Sequence, residues 1–190
     1  WTTPSSGGAI EAVSHLGSTP PTYSYQLNLR TNCYTDHATV DTVTNAVSNI
    51  SFGAGAGFST GAGDNNVFIG RDAGGTAAVT GEDGDSNIGI GLNAGKKIRG
   101  DYNILLGHYT GDNLGNCTNN IAIGREALGT SSDSNHCVII GIYAGRNAPS
   151  YSTIVGHEAG YNMASSATET CLFGYEAGRY EEGAHNTYIG

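Results

Sequence analysis

From Asn49 to Gly190 the chain repeats one short phrase: a polar residue, three residues that include bulky apolar side chains, then glycine. Aligned on that glycine, the anchors are Gly53, Gly70, Gly91, Gly107, Gly124, Gly141, Gly156, Gly174 and Gly190. They are separated by 17, 21, 16, 17, 17, 15, 18 and 16 residues. The residue before each anchor is Phe52, Ile69, Ile90, Leu106, Ile123, Ile140, Val155, Phe173 or Ile189, a column that admits no polar side chain. Two residues earlier stand Ile50, Val67, Ile88, Ile104, Ile121, Val138, Thr153, Cys171 and Thr187, all β-branched but one. Residues two apart share a strand face, so each copy predicts a short strand whose core column is the residue before the anchor.

The column between these two is mixed: Ser51, Phe68, Gly89, Leu105, Ala122, Ile139, Ile154, Leu172 and Tyr188. A strand face turned to water would be polar. Its mostly apolar character predicts that the second face is covered too, by another subunit or another layer.

The rest of each copy reads as turn. Asn49, Asn66, Asn87, Asn103, Asn120 and Asn186 stand four residues before their anchors. Asparagine tolerates left-handed backbone and bonds its own turn, and stacked copies would form an amide ladder. Alanine recurs three residues after the anchor, with Thr110 the exception, and glycine follows it, with Leu128 the exception. A small residue and then glycine predict a sharp, tightly packed corner. Variable loops rich in Gly, Ser, Asn and Asp join the copies. A unit that can bury its apolar column only against the next unit is a solenoid coil. The expected fold is therefore all-β: a β-solenoid (β-roll or β-helix) of nine repeats of about 17 residues, over residues 49–190. With strands about 4.8 Å apart, eight steps would span roughly 40 Å.

Residues 1–48 differ. Three of the four prolines fall within residues 1–22, which read as an extended linker. The alternation YSYQLNL at Tyr23 to Leu29 predicts a strand. Val40, Val43, Val47 and Ile50 are spaced 3, 4 and 3 apart, with Asp36 as a candidate N-cap, which suits a short coiled coil leading into the repeats.

Composition supports turns and short strands. Glycine supplies 30 of 190 residues, and charged residues only 13%, where about a quarter is typical. The net charge of −9 disfavours nucleic acid, because a basic face is needed to release phosphate counterions. The one basic cluster, Lys96, Lys97 and Arg99, reads as a solvated turn. No run of about 18 apolar residues is present, so no membrane-spanning segment is expected. The chain opens at Trp1 without Met, which suits a processed chain or a fragment. Cys33, Cys117, Cys137 and Cys171 form no C-x-x-C pair, which argues against a structural zinc site; their even number permits disulfides without implying them.

Taken alone, GAGAGFSTGAG at Gly53 to Gly63 suggests a phosphate loop. No Gly-Lys-Ser/Thr follows it, and its repetition makes these glycines structural. Asp64, Asp83 and Asp85 lie in glycine-rich turns as calcium ligands would, but without the fixed step of calcium β-rolls. His108 and His157 share one repeat position, and His136 and His185 another; each pair reads as exposed or hydrogen-bonded rather than as a metal site. No Ser, His and Asp arrangement rises above chance, so no catalytic residue, metal or cofactor is assigned and the chain is read as a non-enzyme. Tyr102, Tyr109, Tyr143, Tyr151, Tyr161, Tyr175, Tyr180 and Tyr188 lie mostly at turns, where rings pack on neighbouring coils or stack on sugar faces.

The phrases NNIAIGREAL at Asn119 to Leu128, NVFIGRDAG at Asn66 and HNTYIG at His185 resemble the head repeats of trimeric autotransporter adhesins. They are more similar still to related repeats in phage tail-fibre and tailspike-like proteins, and the resemblance covers about three quarters of the chain. It implies a homotrimeric β-roll or β-helical shaft, extracellular, at a cell surface or on a virion, that displays or performs attachment to a glycan or protein receptor. Two alternatives follow from the same pattern: a polysaccharide-active tailspike fragment, and a scaffold subunit that assembles end to end without a ligand.

Overall fold

The computed structural model describes residues 27–29, 49–57, 63–75, 84–164 and 167–190. Among these it is all-β, without a helix. Ten strands of three residues follow one another: β1 (Leu27–Leu29), β2 (Ile50–Phe52), β3 (Val67–Ile69), β4 (Ile88–Ile90), β5 (Ile104–Leu106), β6 (Ile121–Ile123), β7 (Val138–Ile140), β8 (Thr153–Val155), β9 (Cys171–Phe173) and β10 (Thr187–Ile189). They form one parallel sheet in sequence order, so the chain is a parallel β-solenoid.

Register follows the sequence columns. Ile50 pairs with Val67, Val67 with Ile88 and Ile88 with Ile104, and the same alignment continues to Cys171 with Thr187. The alternating YSYQLNL segment ends in β1, which sets Leu27 beside Ile50. Of the residues read as a helix, Val40, Val43 and Val47 lie outside the described residues, whereas Ile50 opens β2.

Glycine ends each strand for two reasons. Every anchor has a φ between 124° and 147°, a region close to glycine-only. A Cβ added at Gly53 would also lie 2.7 Å from the carbonyl of Gly70 in the next coil, and one at Gly107 would lie 2.6 Å from Gly124 O. The corner then closes on itself: Ala94 N–H donates to Gly91 O at 3.3 Å, and Gly95 N–H reaches the next coil at Thr110 O, 2.9 Å. These bonds recur from coil to coil.

The core lies on the opposite strand face from the one the sequence suggested. The middle column is buried: Phe68, Leu105, Ala122, Ile139, Ile154 and Leu172 are at most 1% exposed. They pack against the corner alanines, with Leu114, Leu128, Ala148 and Met163 on the far wall. The residues expected as core, Phe52, Ile69, Ile90, Leu106, Ile123, Ile140, Val155, Phe173 and Ile189, are half-buried or exposed, with Ile69, Ile90 and Phe173 at 39%. The physical reason is the thinness of one coil. Its interior holds one inward side chain per strand: aliphatic ones stack directly, as Ile139, Ile154 and Leu172 do, but a ring as large as Phe68 needs small residues beside it. A Cβ at Gly89 would lie 2.8 Å from the Phe68 ring, and one at Gly74 2.6 Å. This interlocking of sizes makes the buried column look mixed.

The amide ladder is present. Asn49, Asn66, Asn87, Asn103 and Asn120 are buried. Each accepts at Oδ1 from the N–H one coil onward: Asn66 to Asn49 at 2.7 Å, Asn87 to Asn66 at 2.8 Å, Asn103 to Asn87 at 2.9 Å, Asn120 to Asn103 at 3.1 Å and Cys137 to Asn120 at 3.0 Å. Each Nδ2 donates to a loop carbonyl, such as Gly84 O or Gly100 O at 2.9 Å. Asn186 instead donates to Glu181 at 2.9 Å. The left-handed residue is the one before the asparagine, as at Asn65 (φ 60°), Tyr102 (59°) and Asn119 (59°). The ladder side chain thus sits in ordinary backbone and serves as a hydrogen-bonding spacer.

Replacing Asn103 by Ala strands the Asn120 N–H and the Cys117 carbonyl, each a buried group left unpaired at about 1–3 kcal/mol. Urea unfolding of Asn103→Ala is expected to show a loss of about 2–6 kcal/mol, with the strand circular dichroism of the folded baseline kept.

Candidate functional site: the turn edge of the coils

Beyond each anchor the chain turns through residues whose side chains form columns along the rod. At the first and second positions stand His108 and Tyr109, Arg125 and Glu126, Ile142 and Tyr143, His157 and Glu158, Tyr175 and Glu176. The second of each pair has a left-handed backbone, from 53° at Glu126 to 58° at Tyr143. That conformation is unfavourable outside glycine, and a bond from the preceding coil holds it: Tyr109 N–H donates to Leu92 O, and Tyr143 N–H to Arg125 O, at 2.9 and 2.8 Å.

Cations and rings interleave here. Arg125 Nη2 donates to Tyr143 Oη at 2.7 Å while its guanidinium lies 4.7 Å from that ring's centre. Tyr143 meets Tyr161 edge to face at 5.9 Å. Arg146 and Arg179 flank Tyr161 at 5.9 and 5.5 Å, and Arg179 also pairs with Glu158 at 2.8 Å and Glu176 at 3.2 Å. His157 stacks on Tyr175, and His136 on Tyr151, with ring planes 11° and 9° apart. Exposed ion pairs of this kind add little stability, so their consequence is a shaped, pre-ordered surface. Tyr102, Tyr151, Tyr175 and Tyr180 are at least 60% exposed, whereas Tyr109, Tyr143 and Tyr161 are half-buried against neighbouring coils.

Within this edge a notch of about 240 Å³ is lined by Tyr109, Asp112, Glu126, Gly129, Thr130 and Arg146. It exists because Gly129 stands where the coils on either side place Asp112 and Arg146. Arg146 Nε lies 3.2 Å from Glu126 Oε2. Burial pushes the Asp112 carboxyl above its ordinary value, against the pull of Lys97. Of these residues the sequence singled out only Tyr109. A signal was present all the same: the two breaks in the Ala-Gly corner, Thr110 and Leu128, flank the notch.

The other candidates have structural partners. Asp64 and Asp85 do not converge on a cation: Asp85 Oδ1 accepts the Asp64 N–H at 2.7 Å, and Asp101 Oδ1 the Asp85 N–H at 2.8 Å. This second ladder runs opposite in sense to the asparagine one. Asp83 lies outside the described residues, and among those no group of three or more His, Cys, Asp or Glu is placed to hold a metal. His185 pairs with Glu169 at 2.9 Å. Cys117 and Cys137 are buried free thiols; desolvation raises both, Cys117 to about 11. Cys171 is a free thiol on the outer sheet face, and Cys33 lies outside the described residues. No helix among the described residues is long and apolar enough to cross a membrane.

Fold and edge define the class: a parallel β-solenoid repeat protein with a smooth sheet face and a decorated turn edge. No protein-family model, curated protein or solved structure matches the chain.

Glu181 secures the last coil. It accepts from Gly183 N at 2.7 Å and Asn186 Nδ2 at 2.9 Å, and the hydrogen bond from Tyr188 is the main cause that holds its carboxyl below the ordinary value. A lowered carboxyl contributes stability above its unfolded value, about 4.3, and loses it as pH falls through the lowered folded value. Hydrogen exchange, corrected for intrinsic rate, is expected to show β10 protected at pH 7 and progressively less protected as the pH is lowered below about 4.3, whereas Glu181→Gln leaves β10 poorly protected throughout.

Proposed function

We propose that the chain is the shaft or receptor-binding part of a homotrimeric attachment fibre, a structural and adhesive protein rather than an enzyme. The carrying observation is the outer sheet face. Ile50, Ile69, Ile90, Ile121, Ile140 and Phe173 are each 36–41% exposed on it, and Ile88, Ile104, Leu106, Ile123, Val138 and Val155 fill the spaces between them. Parallel sheets occur almost only with both faces covered. Here the chain's own coil covers one. The nine strands β2 to β10, about 4.8 Å apart and about 10 Å wide, make a largely apolar strip on the order of 400 Å², the scale that marks an interaction surface.

A flat strip running along a rod is buried when copies surround a common axis parallel to that rod, and a closed ring leaves no strip uncovered. Three is the number that the resemblance to adhesin-head and tail-fibre repeats implies, and the nine sequence copies supply the rod. Polar loops and the ring-rich turn edge would then face outward, at a cell surface or on a virion, where a receptor is met.

Light scattering of the purified chain should give three times its 19.5 kDa mass. Ile123→Asp on the outer face should yield monomers. Mild oxidation should link chains through Cys171, and Cys171→Ser should abolish the link. A monomeric wild type at micromolar concentration would sink the assembly.

A further inference from the structure

The attachment reading leaves open which chemistry the turn edge recognises, and the notch at Gly129 narrows it. Its walls are unlike the rest of the edge. In the other coils from Gly91 to Gly174 the fifth position after the anchor is filled by a side chain, Lys96, Asp112, Arg146, Tyr161 or Arg179; Gly75 also holds that position, but there a Cβ would lie 2.5 Å from Gly55 O. At Gly129 that filling is missing for one coil, and the gap is open to solvent between Asp112 and Arg146. Gly129 is not in a glycine-only conformation; a Cβ there would meet Glu126 O at 3.1 Å, a tight but accessible contact. Neither backbone conformation nor a severe clash therefore accounts for glycine at this position.

The groups lining the gap specify a ligand class. Asp112 and Glu126 are acceptors, Arg146 is a planar donor already oriented by Glu126 at 3.2 Å, and the Thr130 hydroxyl, whose proton goes to Arg146 O at 3.0 Å, is left as an acceptor. Tyr109 supplies an apolar ring wall beside them. The charges nearly balance, since two carboxylates face Arg146, with Lys96 and Lys97 within electrostatic reach of Asp112. A free anion would meet two carboxylates, and an ammonium group would meet the guanidinium. A ring carrying several neutral hydroxyls has neither problem: its hydroxyls alternate as donors and acceptors against the polar wall while its C–H face lies on the tyrosine. At about 240 Å³ and half-open, the space suits one such ring rather than an extended chain.

We propose that the notch formed by Tyr109, Asp112, Glu126, Gly129, Thr130 and Arg146 is a subsite for one neutral pyranose unit of a surface glycan. The proposal rests on the attachment reading for its biological setting, but the notch is built within one chain and does not need the trimer. The probes are methyl α-D-glucopyranoside, methyl α-D-galactopyranoside and methyl α-D-mannopyranoside, measured by saturation-transfer NMR on the full chain beside sodium glucuronate and cyclohexylamine.

At least one of the three pyranosides is expected to receive saturation, with the signal falling at least tenfold in Gly129→Gln, which fills the gap, and in Asp112→Asn, which removes an acceptor charge at nearly constant shape. Circular dichroism of each variant checks folding, and Asp112→Asn carries the test if Gly129→Gln does not fold. The subsite is overturned if no pyranoside is saturated, if both folded variants retain the signal, or if glucuronate or cyclohexylamine is preferred. Light scattering on the same sample separates the two readings: a monomer that binds a pyranoside overturns the trimer and keeps the subsite, and a trimer that binds none does the reverse.

Discussion

Stacking at one strand spacing is the constraint on which the rest of this molecule depends. A coil of about 17 residues encloses too little volume to bury a core of its own, so each is completed by the coils above and below. Strand ladders, corner amides and the asparagine ladder all run along this one direction. Wherever one coil's backbone touches the next, a side chain has no room, and this is why Gly53, Gly70 and the later anchors form a column. The buried asparagines answer the same spacing in polar terms. Each bridges backbone that would otherwise be unpaired in the dry interior, and the contribution of one depends on its neighbours being in place.

That constraint explains what could be read from the sequence and what could not. The positions of the strands, their parallel register and the asparagine ladder follow from columns, because identical positions must stack on each other. Which strand face points inward did not follow. The outer face presents a uniform row, Ile69, Ile90 and Ile123 among others, and uniformity resembles a core. The true interior alternates Ser51, Phe68, Gly89 and Leu105, because a ring as large as Phe68 takes the space of its neighbours. Hydrophobicity averaged down a column cannot see that exchange of volume. The segment read as a helix raised a similar ambiguity, since Ile50 fits its spacing and yet begins a strand.

The candidate site was less legible still, for a different reason. Its residues belong to three different coils and to positions that vary between copies, so no column announces them. Asp112, Glu126 and Arg146 become neighbours only once the pitch of the stack is known. The visible trace was indirect. Thr110 breaks the alanine column and Leu128 the glycine column, in consecutive coils. Leu128 holds a left-handed φ of 54° while fully buried, so its conformation is unfavourable and its side chain compensates by filling the wall beneath the notch.

Repetition and departure from it therefore act at different places. The outer sheet face stays apolar through most of its length, and a surface used for assembly gains from such monotony because every layer can repeat the same packing. The turn edge carries left-handed Tyr, Glu and His residues among others, each held by a bond from the preceding coil. A rigid stack tolerates this because no corner can relax without breaking a rung. The stiffness that stacking imposes on the core thus keeps the rings and charges of the edge in fixed relative positions. Gly129 then needs only the absence of one side chain to open a recess whose walls its neighbours already hold in place.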